Sequence, residues 1–115
     1  MIFLCYPKCS TCKKAQAWLD ANKIKYDFKD IKENNPSKTE LKKWYKQSGL
    51  PLKKFFNASG LIYKDLKLKD KLPNMSEDEQ LSLLAKDGML VKRPMLISDK
   101  CILVGFNEKQ WKETL

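Results

Sequence analysis

Ile2-Phe3-Leu4-Cys5-Tyr6-Pro7-Lys8-Cys9-Ser10-Thr11-Cys12 decides how this chain begins to fold. Ile2 to Tyr6 is a short, almost continuous apolar run, the pattern of a buried strand. Pro7-Lys8 reads as a turn. From Ser10 to Asn22 the apolar residues recur at helical spacing, with Ala15, Trp18 and Leu19 as an inward stripe. Cys9-x-x-Cys12 sits at the joint between strand and helix. Cys9 falls where unpaired backbone N–H groups and the positive end of the helix dipole favour an anion. Lys8, Lys13 and Lys14 add positive potential around it. Such surroundings lower the pKa of a thiol, and the thiolate is the attacking species. Two thiols at this spacing can also close a small disulfide ring.

Two other readings of the cysteines stand beside the redox dithiol. Cys5 and Cys101 would complete four zinc ligands with Cys9 and Cys12, but structural zinc motifs usually pair two such spacings or add histidines. This chain has a single Cys-x-x-Cys and no histidine. Alternatively, the cysteines are simply packed in the core, as buried thiols often are. The strand–turn–helix context favours the dithiol, with Cys5 and Cys101 quiet in strands.

The 115 residues suffice for one domain, 1–115, with a core of its own. The N-terminal apolar run is too short for a signal peptide, and no stretch approaches a membrane span. The expected location is the cytoplasm, where a disulfide is usually catalytic or sensing. The net charge is +9, carried by 22 Lys and the single Arg93. Bidentate recognition of guanine or phosphate is chiefly arginine chemistry, so scattered lysines argue against sequence-specific DNA binding. They suit attraction to acidic protein surfaces or solubility.

Further along, alternation over Lys25–Ile31 predicts a second strand. Ser37 with Glu40 is a capping box opening a helix that carries Leu41, Trp44 and Tyr45 and ends at Gly49. Pro51 starts a short helical segment through Phe55-Phe56, Asn57-Ala58-Ser59-Gly60 turns, and mixed helical structure follows. Ser76 with Glu79 is a second capping box, and Gly88 is expected to end that helix. Met95–Ser98 and Cys101–Val104 form a hairpin about Asp99-Lys100. Asn107 caps a last helix with Trp111 and Leu115 facing inward. The order is β-α-β, a helical insertion at about 36–88, then β-β-α. This predicts an α/β, thioredoxin-like fold with a mixed four-stranded sheet.

Cys9-x-x-Cys12, the Phe56-Asn57-Ala58-Ser59-Gly60 turn and Arg93-Pro94 before a strand together resemble the ArsC/Spx family. The resemblance spans essentially the whole chain. Gly105-Phe106-Asn107-Glu108 is similar to the Spx and YffB branches. It implies that Cys9 is the nucleophile and Cys12 the second cysteine of the Spx/MgsR branch. It also implies that Arg93 is an anion-binding or switch-region arginine, and that Pro94 is a cis proline facing the active cysteine. The family's arsenate reductases use three arginines; Arg93 matches one, while Asn57 and Gly105 stand at the others.

Two functions follow as expectations. In the first, the chain is a thiol–disulfide oxidoreductase acting on substrate proteins or a low-molecular-weight thiol. Cys9 attacks, Cys12 resolves, Lys8 and the helix end stabilise the thiolate, and Arg93 orients an anionic group. No metal or organic cofactor is needed, with glutathione or another thiol as reductant. In the second, implied by the Spx resemblance, a Cys9–Cys12 disulfide is a signal and the chain docks on the alpha subunit of RNA polymerase.

Overall fold

The computed structural model describes residues 1–115. Strand β1 (Ile2–Cys5) leads through the Pro7-Lys8 turn into helix α1 (Ser10–Ala21) and then strand β2 (Asp27–Asp30). β2 lies parallel to β1, with Phe3 opposite Phe28 and Cys5 opposite Asp30. Strands β3 (Met95–Ile97) and β4 (Ile102–Val104) form an antiparallel hairpin, and β3 pairs antiparallel with the other edge of β1. The sheet order is β2-β1-β3-β4, a mixed four-stranded sheet as expected. Helix α6 (Glu108–Thr114) follows, capped by Asn107, whose Oδ1 accepts the Gln110 N–H at 3.0 Å.

Successive side chains of a strand point to opposite faces, and this divides the core in two. Phe3 and Cys5 of β1, Leu96 of β3 and Leu103 of β4 pack with Cys12, Ala15 and Leu19 of α1 and with Trp111 of α6. Leu4, Met95, Ile97 and Ile102 belong to the second core, with Leu41 and Trp44 of helix α2 (Lys38–Ser48) and Leu81 and Leu84 of helix α5 (Glu77–Lys86). Because both its faces are covered, β1 reads as continuous apolar sequence rather than as an alternation.

Between β2 and β3 the chain is helical: α2, a 3-10 turn (Leu52–Phe55), the short helices α3 (Leu61–Asp65) and α4 (Leu68–Lys71), and α5. Both capping boxes form. Ser37 Oγ accepts the Glu40 N–H and Glu40 Oε1 accepts the Ser37 N–H, each at 3.1 Å. Ser76 and Glu79 repeat the arrangement at the same distances. α2 ends at Gly49 with φ +70°, the left-handed cap that favours glycine.

Three expectations need correction. α5 ends at Lys86 with Asp87 as its cap, so Gly88 does not terminate it. Gly88 instead lies so close to the Ile31 carbonyl oxygen and the Asn35 side chain that a Cβ would strike both. β2 is shorter than its alternating sequence suggested, and Phe28 stays 41% exposed because the strand lies at the sheet edge. Leu115 follows the last turn of α6 and is exposed rather than inward, whereas Trp111 is fully buried.

Candidate active site

Cys9 is the N-cap residue of α1, in extended backbone with φ −82° and ψ 125°. Its N–H donates to the Tyr6 carbonyl at 2.9 Å and closes the Pro7-Lys8 turn, while its carbonyl accepts the Lys13 N–H at 3.1 Å as the helix begins. The half-buried Cys9 side chain opens into a cleft of about 700 Å³. The cleft is lined by Asn57 and the segment from Ser59 to Ile62, by Met89, by Lys92 and Arg93 ahead of β3, and by Gly105 and Phe106 after β4. No carboxylate is among the lining residues, so its charge is positive.

Backbone pairing holds these distant segments together. Asn57 N–H donates to the Leu90 carbonyl and Lys92 N–H to the Phe55 carbonyl, both at 2.7 Å, around a Phe56–Val91 bridge. Gly105 N–H donates to the Pro94 carbonyl at 2.8 Å, and its φ of +78° turns the chain away from β4. The Arg93-Pro94 bond is cis and Pro94 is buried. The loop before β3 is thus fixed against both the Asn57 turn and the end of β4.

Arg93 makes three contacts with two neighbours. Its Cζ lies 5.4 Å from the Tyr6 ring centroid, and Nη1 donates to the Met89 carbonyl at 3.4 Å and lies 3.9 Å from the Met89 sulfur. Its buried Nε has no partner. Partial burial pushes the Cys9 thiol up. The Cys12 amide, the Arg93 guanidinium and the Thr11 amide act against it, and the net result is a thiol more acidic than usual. The sulfur makes no closed capping hydrogen bond. The stabilisation comes from dipoles and charge facing it.

Cys9, Arg93 and Asn57 therefore meet in one cleft, and Pro94 stands behind it. Lys8 does not join them: it is exposed in the turn and outside the lining. Cys12 differs most from expectation. It is bonded to Cys5, with Cα atoms 5.8 Å apart, and not to Cys9, which is free. Cys12, Ala15 and Leu19 form the buried stripe of α1, so Cys12 faces the sheet where β1 presents Cys5. The Tyr6 N–H donates to Cys12 Sγ at 3.4 Å. Cys101 sits in the hairpin with its sulfur 3.4 Å from Ser98 Oγ. No three Cys, Asp or Glu side chains converge as metal ligands would. Sequence reasoning missed Tyr6, Met89 and the pairing role of Cys5. The last was signalled by the two-residue period of Phe3 and Cys5 together with the helical spacing of Cys12, Ala15 and Leu19. Met89 carries no such signal.

The same fold recurs in known proteins. An ArsC family related protein from Bacteroides fragilis is 53% identical, with a TM-score of 0.95 over 97% of this chain and 94% of its own. The uncharacterised protein YusI of Bacillus subtilis is 53% identical over 98% of this chain and 96% of its own length. The regulatory protein MgsR of Bacillus subtilis is 27% identical over 93% of this chain and 83% of its own. The ArsC family profile matches residues 4–114, from β1 to the end of α6. With the profile match and the likeness of sequence and fold running along nearly the whole chain, it belongs to the ArsC family.

Proposed function

We propose that this protein is a thiol–disulfide oxidoreductase in which Cys9 is the attacking thiolate. The observation that carries this reading is the convergence on Cys9 of a helix N-terminus, the Cys12 and Thr11 amides and the Arg93 guanidinium, in an open cleft without carboxylates. In the reduced chain the Cys9 thiolate attacks one sulfur of a substrate disulfide, and the other sulfur leaves as a thiolate. Cys12, one helical turn on, then attacks Cys9 Sγ and releases the bound half of the substrate. Lys92 and Arg93 favour substrates with an anionic group near the sulfur, and Leu61, Ile62 and Phe106 offer them apolar surface. A low-molecular-weight thiol of the cytoplasm, glutathione among them, serves as reductant.

The likeness to the regulatory protein MgsR supports a second reading, in which the dithiol is a redox signal; its output is then the docking on RNA polymerase that the Spx resemblance implies. Turnover separates the two. Reduction of 2-hydroxyethyl disulfide by glutathione, catalysed by the wild type and abolished by Cys9→Ser, is the expected result. No catalysis, with redox-dependent and non-covalent recovery of polymerase subunits from native cytosol, would replace the enzyme by the regulator.

A further inference from the structure

We infer that Cys5 is a third redox residue, which takes the disulfide over from Cys9 and stores it with Cys12 beneath the sheet surface. The inference rests on the oxidoreductase reading of Cys9 and extends it. The fold places Cys12 between two sulfurs. Cys9 is one helical turn before it, at the N-cap and in the cleft, whereas Cys5 meets it in the core. The Cys5–Cys12 Cα separation of 5.8 Å lies within the ordinary disulfide range of about 4.4–6.8 Å. Both residues are only 1% exposed, so outside reagents reach the pair through Cys9.

The sequence of exchanges balances. Cys9–S⁻ attacks R–S–S–R′, giving Cys9–S–S–R and R′–S⁻. Cys12–SH attacks Cys9 Sγ, giving Cys9–S–S–Cys12, R–S⁻ and a proton. Cys5–SH then attacks Cys12 Sγ, giving Cys5–S–S–Cys12, Cys9–S⁻ and a proton. Two electrons pass from the Cys5/Cys12 dithiol to the substrate, and Cys9 ends as it began. The last step is favoured because the better-stabilised thiolate leaves faster, and Cys9 is the sulfur that faces Arg93 and the helix amides. Reduction retraces the path: Cys9 attacks Cys12 Sγ and frees Cys5–SH. A low-molecular-weight thiol R–SH attacks the exposed Cys9 sulfur to give Cys9–S–S–R and Cys12–SH, and a second R–SH releases R–S–S–R, Cys9–S⁻ and a proton.

Trypsin makes the outcome legible. Cleavage after Lys8 and Lys13 puts Cys5 in peptide 1–8 and both Cys9 and Cys12 in peptide 9–13. The reduced protein is treated with one equivalent of 2-hydroxyethyl disulfide, quenched with excess iodoacetamide in denaturant so that every remaining thiol is labelled, and mapped without reductant. The relay gives peptides 1–8 and 9–13 joined by a disulfide, with label on Cys9. Cys5→Ala stops one step earlier, with Cys9 and Cys12 bonded inside peptide 9–13. In Cys9→Ser the joined peptides form far more slowly than in the wild type, because the buried pair has lost its entry point. A wild type that keeps Cys9 bonded to Cys12 with Cys5 labelled overturns the relay and leaves the oxidoreductase reading standing. Equally fast joining in Cys9→Ser also overturns it. Release of no thiol at all, with Cys5, Cys9 and Cys12 labelled, overturns both.

Discussion

Arg93 stacks its guanidinium against the ring of Tyr6, with Cζ 5.4 Å from the centroid. Tyr6 is the residue whose carbonyl accepts the Cys9 N–H and whose own N–H reaches Cys12 Sγ. One side chain thus holds the arginine that favours the Cys9 thiolate, and the same residue's backbone touches both cysteines of the motif. Cation–π contacts of this kind are worth roughly 0.5–2 kcal/mol, enough to bias where the guanidinium rests.

Replacing Arg93 by alanine removes both a hydrogen bond and a charge from the Cys9 thiolate. The pH profile of Cys9 alkylation in the reduced chain should move to higher pH, and alkylation at neutral pH should slow several-fold. Since the folded chain lowers the Cys9 pKa, ionisation contributes stability in full above the unfolded thiol's pKa. That contribution fades as pH falls through the lowered folded value, and in Arg93→Ala it should be smaller and be lost completely at a higher pH. Denaturation of the reduced proteins across the alkaline range measures it.

Trp111 is fully buried and meets Phe106, Trp18 and Phe3 edge-on, with ring centroids 4.9, 6.0 and 6.5 Å away. Its Nε1 donates to the Gly105 carbonyl at 3.1 Å, tying the core beneath α1 and α6 to the rim of the cleft. Trp111→Ala should cost about 3–5 kcal/mol in chemical denaturation. Trp111→Phe keeps much of the packing and should cost distinctly less.

Arsenate should be a poor substrate. Holding a multiply charged oxyanion beside a thiolate needs several strong donors against like-charge repulsion. The cleft offers one guanidinium, Arg93, with Asn57 and Gly105 on its lining and Lys92 as a point charge without the bidentate fork. In an assay with arsenate, glutathione and glutaredoxin, turnover should stay near background. Strong turnover lost in Cys9→Ser would contradict this.

Much of the fold was legible because local rules and tertiary demands agree. The capping boxes at Ser37 and Ser76, the left-handed cap at Gly49 and the Asn107 cap each announce a helix end in a few residues. The hairpin after Arg93-Pro94 was legible for the same reason. Gly88 misled because a glycine near a helix end has two uses, and only the neighbouring Ile31 carbonyl reveals that close approach is the one needed. Cys9 could be placed from its position at the helix start, but Lys8 and Arg93 could not be told apart by charge alone. The backbone ties of the 89–93 segment bring Arg93 to the cleft, while the turn leaves Lys8 in solvent. The cysteine pairing depended on which face of α1 holds Cys12, a question settled by its stripe with Ala15 and Leu19.

Everything proposed for this protein requires that Cys9 be its reactive thiol. The direct measurement is competitive alkylation of the fully reduced, folded chain with limiting iodoacetamide at neutral pH, read by peptide mapping over time. Cys9 should be modified first and faster than an unperturbed thiol, ahead of half-buried Cys101 and well ahead of buried Cys5 and Cys12. If Cys101 or Cys5 reacts before Cys9, or if Cys9 reacts no faster than free cysteine, the assignment of the site is wrong.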